Sequence, residues 1–439
     1  MSRITRRHFL QASAAAGAVL GAPTLAHAAQ AQDLSFKPEP GAKLRVLRWK
    51  RFVQGDEDQW MANTKRFTEK TGVEVTTDAE NWEDIRPKAA VAANIGDGPD
   101  IILSTNDDSH QYPDKLLDVG DLCEYLGRKY GPWYASALAY GKNGGRWIAV
   151  PLGAGGNCMN YRVSHVKAAG FKEFPKDTDG FLKLCQALKK NGTPPGFALG
   201  NATGDANGWC HWLIWAFGGK MVDAQNKVAI NSRETARALE YARELYPTFV
   251  PGTLSWLDPN NNKAFLSGDI SLTNNGVSIY FAAKNSPDAR MQEIAKDMNH
   301  AVFPIGPVGH QTSSALFFTS VIFKYSKYPN AAKEYLRFMM EQEQYEAWQK
   351  ASIGFVTQPL TFYERNPVWT ADPKYTPFKY SCKNMLPNGY AGTLGTASAG
   401  CMADFIIVNM VAQVASGSMS VKEAMESAEK RARRYYRQR

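Results

Sequence analysis

The stretch NIGDGPDIILSTNDD, residues 94–108, decides how this chain of 439 residues is to be read. Two acids sit among the backbone punctuators Gly96, Gly98 and Pro99, an apolar run follows, and two more acids close it. Such a stretch fits a phosphate loop, a metal loop, or a turn that delivers a strand to a ligand. No Lys-Ser/Thr pair follows the glycines, so the phosphate-cradling pattern is absent. A calcium loop needs acids at alternating positions over about twelve residues, and they are missing. The turn reading remains. Gly96 and Gly98 supply turn conformations, Pro99 stiffens the approach, Asp100 caps it, and DIILS is a buried strand. TNDD then lies just past the carboxyl end of that strand, which makes Asp107 and Asp108 candidate ligand contacts.

Upstream, KLRVLRW (43–49) reads as a strand and DEDQWMANTKRFTEKTG (56–72) as a helix. The helix places Trp60, Thr64, Phe67 and Thr71 along one face, and Gly72 stops it. VEVTTD (73–78) is a second strand. WEDIRPKAAVAAN (82–94) is a second helix, with Pro87 tolerated only near its start. Alternation of this kind implies an α/β fold with a mainly parallel sheet and helices on both faces. In open sheets of that type ligands sit beyond the carboxyl ends of the strands.

The first 28 residues are expected to be removed. Arg3, Arg6 and Arg7 precede an alanine-rich apolar stretch and an Ala26-His27-Ala28 cleavage pattern. The Arg6-Arg7 pair before His8-Phe9-Leu10 resembles a twin-arginine export signal, so a periplasmic location is expected. No later stretch carries the ~18 uninterrupted apolar residues of a membrane span. The net charge of +9 is confined to the ends: three arginines in the signal and six Lys or Arg in KRARRYYRQR (430–439) account for all of it. A neutral body argues against a nucleic-acid groove. The basic tail reads as a helix end favoured by the helix dipole.

Six cysteines, at 123, 158, 185, 210, 382 and 401, show neither C-x-x-C nor metal-ligand spacing, so no cofactor and no metal are expected. Cys382 and Cys401 flank a Gly-rich loop whose Pro387 and Gly389 suggest a turn. They form either a disulfide or two buried free thiols. The roughly 410 residues after the signal exceed what one core holds, yet no linker divides them, so the chain is expected to cross between two domains more than once.

Several stretches in order identify a resemblance. They are LRVLRWKRF with FTEKTGVEV and ANIGDGPDII, then GGRWIAVPLGAGGNCMNYRVSHVKAAGF (144–171) and NGWCHWLIWAFGGKMVD (207–223). KAFLSGDISLTNNGVSIYFA (263–282), the run from VFPIGPVGHQ to IGFVT (302–357), and SGSMSVKEAMESAEKRARRYY (416–436) complete the set. Together they resemble the extracellular solute-binding proteins of ATP-driven (ABC) importers, the family that includes maltose-binding and other sugar-binding proteins. The resemblance implies two interwoven α/β lobes of the periplasmic-binding-protein type II kind, with a ligand cleft between them and crossover hinges. It places residues 42–157 and 270–320 in an N-terminal lobe and 158–269 and 321–439 in a C-terminal lobe. Crossings are expected near Gly156–Asn160, Gly268–Leu272 and Phe317–Phe323. It also implies a small-molecule ligand and permease subunits as partners, and a monomer is expected.

Carbohydrate is the leading ligand class, because a cleft with aromatics and polar side chains suits sugar faces and hydroxyls. Aromatics make up 12% of the chain, with eleven Trp. The candidate contacts are Trp49, Trp82, Asp107, Asp108, Asn157, Trp209, His211, Trp212, Asn275 and Phe355. Trp49 ends a strand and belongs either to the cleft mouth or to the core; Trp82 either shields the cleft edge or caps its helix. Trp209, His211 and Trp212 open a helix at the cleft, with one of the three expected in the core and at least one in contact with the ligand. Asn157 lies on a crossover, Asn275 starts a turn, and Phe355 lies in a loop near the cleft in relatives. Ser104 stands where the maltose-type pattern has a stacking Trp. A polyamine or an amino sugar is the alternative ligand. A ferric ligand lacks a cleft Tyr pair, since Tyr435-Tyr436 is in the tail. An exported glycoside hydrolase is the alternative of another class, but adjacent Asp107 and Asp108 point to opposite faces of a strand, and no G-x-S-x-G elbow occurs.

Overall fold

Residues 34–437 are described by the computed structural model, so the expected export signal and its cleavage point lie outside the described residues. Strand β1 (Lys43–Trp49) buries Leu44, Val46, Leu47 and Trp49. Helix α1 (Gln54–Thr71) turns its Trp60, Thr64 and Phe67 inward and ends at Gly72, whose φ of 73° suits glycine and whose N–H bonds the Thr68 carbonyl. Strand β2 (Glu74–Glu80) returns parallel to β1, and helix α2 (Trp82–Ile95) leads to β3 (Ile101–Thr105), also parallel to β1. Asp100 fixes the turn before β3: one carboxylate oxygen accepts the Arg45 N–H at 2.8 Å and the other the Ser326 hydroxyl at 2.6 Å.

The remaining strands divide between two sheets. A short ribbon of β4 (Lys142–Asn143) and β5 (Arg146–Trp147) precedes β6 (Val150–Gly155) and β7 (Cys158–Arg162). Then come β8 (Leu272–Asn275), β9 (Met298–Ala301), β10 (Phe317–Ile322) and β11 (Val356–Thr357). Six strands form the first sheet in the order β11-β6-β10-β3-β1-β2, and three form the second in the order β8-β7-β9. The first sheet is parallel only through β2, β1 and β3; β10 runs antiparallel to β3 and β6, and β11 antiparallel to β6. The second sheet is wholly antiparallel. This corrects the expectation of a mainly parallel arrangement: only β1, β2 and β3 are joined by successive βαβ units, and β10, which returns from the other lobe, runs opposite to them.

The crossings also differ from those expected. Between β6 and β7 the chain does cross, at residues 156–157. Residues 268–272 do not cross, because β8 and β9 both pair with β7. The return lies between β9 and β10, and Phe317–Ile322 is itself a central strand of the first sheet. Residues 270–301 therefore belong with the second lobe rather than the first. Beyond β10 the chain is anchored on the first lobe as far as Cys382, whose Sγ lies 3.7 Å from the Ser136 hydroxyl, while residues 372–378 reach over to the second, where the Tyr280 hydroxyl donates to Asp372 at 2.6 Å and Lys374 Nζ to the Ala295 carbonyl at 2.6 Å. It then crosses a third time. Cys401 packs in the core of the second lobe with Trp209, Trp212, Phe303 and Val411. The two cysteines thus sit in different lobes, and all six are free and buried, which removes the Cys382–Cys401 bridge. The turn at Pro387 exists, with the Tyr390 N–H on the Pro387 carbonyl, but it serves the crossing.

The second lobe is built around helix α3 (Asp205–Ala216), in which every residue from Ala206 on is buried. Helix α4 (Asp258–Ser267) leads into β8. Among the described residues, one helical stretch, Thr396–Ala415, has the length and apolar composition of a membrane span. It is two helices, α5 (Thr396–Ala403) and α6 (Ile406–Ala415), broken at Phe405 with φ 50°. Ile406, Ile407, Met410 and Val414 of α6 lie in the second-lobe core. The final helix, α7 (Val421–Tyr435), opens with a capping box between Ser420 and Glu423 and carries Arg433 and Arg434 in its last turn.

Candidate functional site

A cleft between the two sheets, about 460 Å³ including space open to solvent, is lined from both sides. That volume falls in the range of small-molecule sites. The first lobe supplies aromatic rings: Phe52, Trp82, Phe318 and Phe355. The second supplies Asp205 at the start of α3, Asp258 at the start of α4, and Asn275 and Ser278 after β8. Gly155, Gly156, Asn157 and Leu316 form its floor, where two crossings run side by side, with the Gly155 N–H on the Leu316 carbonyl at 2.8 Å. Gly156 is required there, since a Cβ would stand 2.4 Å from the Phe378 ring.

The aromatic wall is a cluster. Trp49, Trp82 and Phe318 pack mutually, with centroids 4.8 Å (Trp49–Trp82), 4.7 Å (Trp49–Phe318) and 5.4 Å (Trp82–Phe318) apart, and Phe355 follows Phe318 at 6.1 Å. Trp49 itself is fully buried and does not line the cleft, which settles its place in favour of the core. Its position is fixed from behind. Asp56 accepts the Trp49 indole N–H at 2.9 Å, the Trp348 indole N–H at 2.8 Å and the Arg48 guanidinium at 2.6 Å. Arg48 and Asp56 form an ion pair with side chains 1% and 0% exposed.

The polar half is a mesh of amides. The Asn157 side-chain NH₂ donates to the Ser314 carbonyl at 2.7 Å, and its oxygen accepts from Asn274 at 3.2 Å. Asn275 donates to Asn261 and Asn262 and accepts the Ser278 hydroxyl at 3.0 Å. Asp258 binds the first amides of α3: Gly204 N–H reaches its two oxygens at 3.2 and 3.0 Å, and Asp205 N–H reaches Oδ1 at 2.8 Å. One oxygen of Asp205 accepts from the Asn261 side chain at 2.9 Å. Its other oxygen, Oδ1, has no hydrogen-bond partner among the described residues. Burial, and then the neighbouring Asp258 charge, push the Asp205 carboxyl well above its usual range. Burial raises Asp258 to about 6 against the pull of its backbone amides, and Glu83 adds to the rise. Glu83, in the first turn of α2, has a buried Oε1 without a partner among the described residues.

Of the ten residues picked from sequence, Trp82, Asn157, Asn275 and Phe355 are brought together on this cleft. Asp107, Asp108, Trp209, His211 and Trp212 stand elsewhere. Asp107 is buried, receiving the Asn388 amide at 2.8 Å and the Ser398 hydroxyl at 2.6 Å. Asp108 is paired with Arg86 at 2.5 Å and bonded by Ser104 and Thr105. Trp209 and Trp212 point down the inner side of α3 and donate to the Ala198 and Pro304 carbonyls at 2.7 and 2.9 Å. His211 donates to the Asn207 carbonyl, and burial lowers its pKa to about 4, so it is neutral at pH 7. Phe52, Phe318, Asp205, Asp258 and Ser278 escaped the sequence reading. Asp205 was within reach of it, two residues before the quoted NGWCHW helix and at a helix start beside the cleft. Among the described residues, no three His, Cys, Asp or Glu converge to hold a metal ion.

Residues 62–377 match the family of bacterial extracellular solute-binding proteins. No curated protein sequence matches the chain. Its fold is similar to solved structures at low identity. The GacH receptor of Streptomyces glaucescens GLA.O, solved unliganded and with acarbose, shares 19% identity at a TM-score of 0.74, covering 90% of this chain and 98% of its own. A sugar transporter protein from Arthrobacter chlorophenolicus A6 with bound laminaribiose shares 16% at 0.77, covering 90% and 99%. An ABC transporter solute-binding protein from Agrobacterium radiobacter K84 in complex with ribitol shares 16% at 0.72, covering 91% and 100%.

Proposed function

The chain belongs to the bacterial extracellular solute-binding proteins, and on that premise we propose that it captures a carbohydrate and delivers it to the permease of an ABC importer in the periplasm. The carbohydrate is a sugar, an oligosaccharide or a polyol. The observation that carries this reading is the division of the cleft: an aromatic wall from one lobe faces amides, a hydroxyl and a carboxylate from the other. Rings pack on the apolar faces of a sugar, and the polar half meets its hydroxyls. Neither half encloses a ligand alone, so binding and lobe closure are one event. The acarbose, laminaribiose and ribitol held by the structural neighbours support the same ligand class. Trp82, Asn157, Asn275 and Phe355 are the proposed contacts carried over from the sequence, joined by Phe52, Asp205 and Ser278.

Paired carboxylates also invite a hydrolytic reading. Both oxygens of Asp258 are spent on backbone amides, which leaves Asp205 without a second free carboxylate from its own lobe. A thermal-shift screen over neutral and aminated sugars, polyols and linear polyamines tests the proposal. A ligand at 100 times its Kd stabilises the fold by about 2.7 kcal/mol. Stabilisation by polyamines alone overturns the carbohydrate reading, and turnover of a glycoside panel overturns the binding-protein reading.

A further inference from the structure

Resting on that carbohydrate reading, we infer that the cleft selects a sugar or polyol bearing an ammonium group, which Asp205 receives. The lining contains no Lys, Arg or His. Asp205 faces the cleft with Oδ1 unpartnered among the described residues, while Asp258 lies against the Asp205 amide at 2.8 Å. Glu83 presents a buried Oε1, unpartnered among the described residues, from the opposite lobe, close enough to act on Asp258. None of the three carboxyls has an ion-pair partner among the described residues. The start of α3 would ordinarily offset this charge through its free amides, but Asp258 already occupies those of Gly204 and Asp205.

Closure on a neutral sugar therefore keeps the buried Asp205 carboxyl protonated, its charge unused for want of a countercharge. Closure on an ammonium supplies it, at short range and low dielectric. The facing rings of Trp82 and Phe52 also attract a cation. A bare polyamine would answer the carboxylates and leave the amides of Asn157 and Asn275 and the Ser278 hydroxyl without hydroxyl partners. Each of those amide oxygens accepts one hydrogen bond and has a second lone pair to offer. Aromatic faces, amides and an unpaired carboxylate together call for a hydroxylated frame carrying one positive charge.

Calorimetry on the mature protein with matched probes tests this: glucose, glucosamine and N-acetylglucosamine, sorbitol and glucamine, maltose and an aminated maltose, with putrescine as the bare diamine. The amine-bearing member of a pair should bind at least about tenfold tighter than its neutral or acetylated partner. Its affinity should weaken between low and high salt, as that of the neutral partner should not. Asp205→Asn should remove about tenfold or more of the amine's affinity beyond whatever it removes from the neutral partner's. Circular dichroism and the melting midpoint should show the variant folded. Equal affinity within the pairs, or equal loss on Asp205→Asn, overturns the inference and leaves the carbohydrate reading standing. Binding of putrescine alone, or of no probe, overturns both.

Discussion

Trp82 stacks on Trp49 with planes 23° from parallel, so a fully buried core residue sets the pitch of the cleft wall. The wall is thus an outgrowth of the first lobe's core, held through Trp49 by Asp56. Truncating Trp82 to Ala should cost on the order of 2 kcal/mol or more of ligand affinity, as buried aromatic anchors do. The same change removes core packing, so titration should be run well below the variant's melting midpoint. Unchanged affinity in the folded variant would remove Trp82 from the site.

Asp56 holds three donors at once. Replacing it with Ala strands the Arg48 guanidinium, whose Nε and Nη1 already lack partners among the described residues. Loss of one partner of a buried pair typically costs about 3–5 kcal/mol. Urea denaturation should show a lower midpoint with the slope unchanged, and ligand affinity should fall with it because Trp49 loses its anchor.

Stability should depend on pH with opposing signs. Asp258 has a folded pKa raised to about 6, so the folded state holds a proton that the unfolded state releases near pH 4. Its contribution is present below that range and is lost as pH rises toward 6. His211 and His300 behave oppositely: burial lowers both to about 4, so their contribution is present above pH 6.5 and lost as pH falls toward 4. Asp258→Asn should therefore make the unfolding free energy rise more steeply between pH 4 and 6 than in the parent protein. His211→Gln should flatten it. Parallel curves for all three proteins would contradict both assignments.

All six thiols should be silent in the native state. Burial pushes Cys382 and Cys401 up to about 12 and the others upward as well, so neither access nor thiolate is offered. Ellman's reagent should titrate about none of them before denaturation and all six after it. Reducing agent should leave the melting midpoint where it was; a fall of several degrees would restore the disulfide rejected here.

The first three strands and two helices were legible because their signals are local: period, Gly stops and a bounded apolar run. The second sheet was not. Its strand β8 is four residues long and reads LTNN, buried yet half amide, so hydropathy gives it no strand signature. Trp82 and Asn157, picked at element ends, line the cleft because ends of elements face it. The failures were matters of facing and of distance. On α3, Trp209 lies one turn below Asp205 and turns into the core, a rotation that sequence at a helix start does not fix. Asp107 and Asp108 do follow β3, but Asp107 is answered by Asn388, 281 residues later, and no local pattern announces such a partner.

Strand β10 lies between β3 and β6. On the ribosome, therefore, the β2-β1-β3 block and the lone strand β6 are made early and left with facing open edges until Phe317–Ile322 emerges. At 5–20 residues per second, the interval after Gly155 lasts roughly 10–30 s. Unpaired edges of that kind invite pairing with other chains. A nascent chain of this architecture carries an aggregation hazard in mid-synthesis, and what shields it then is whatever binds the unfinished chain, since the strand that joins the early pieces arrives late.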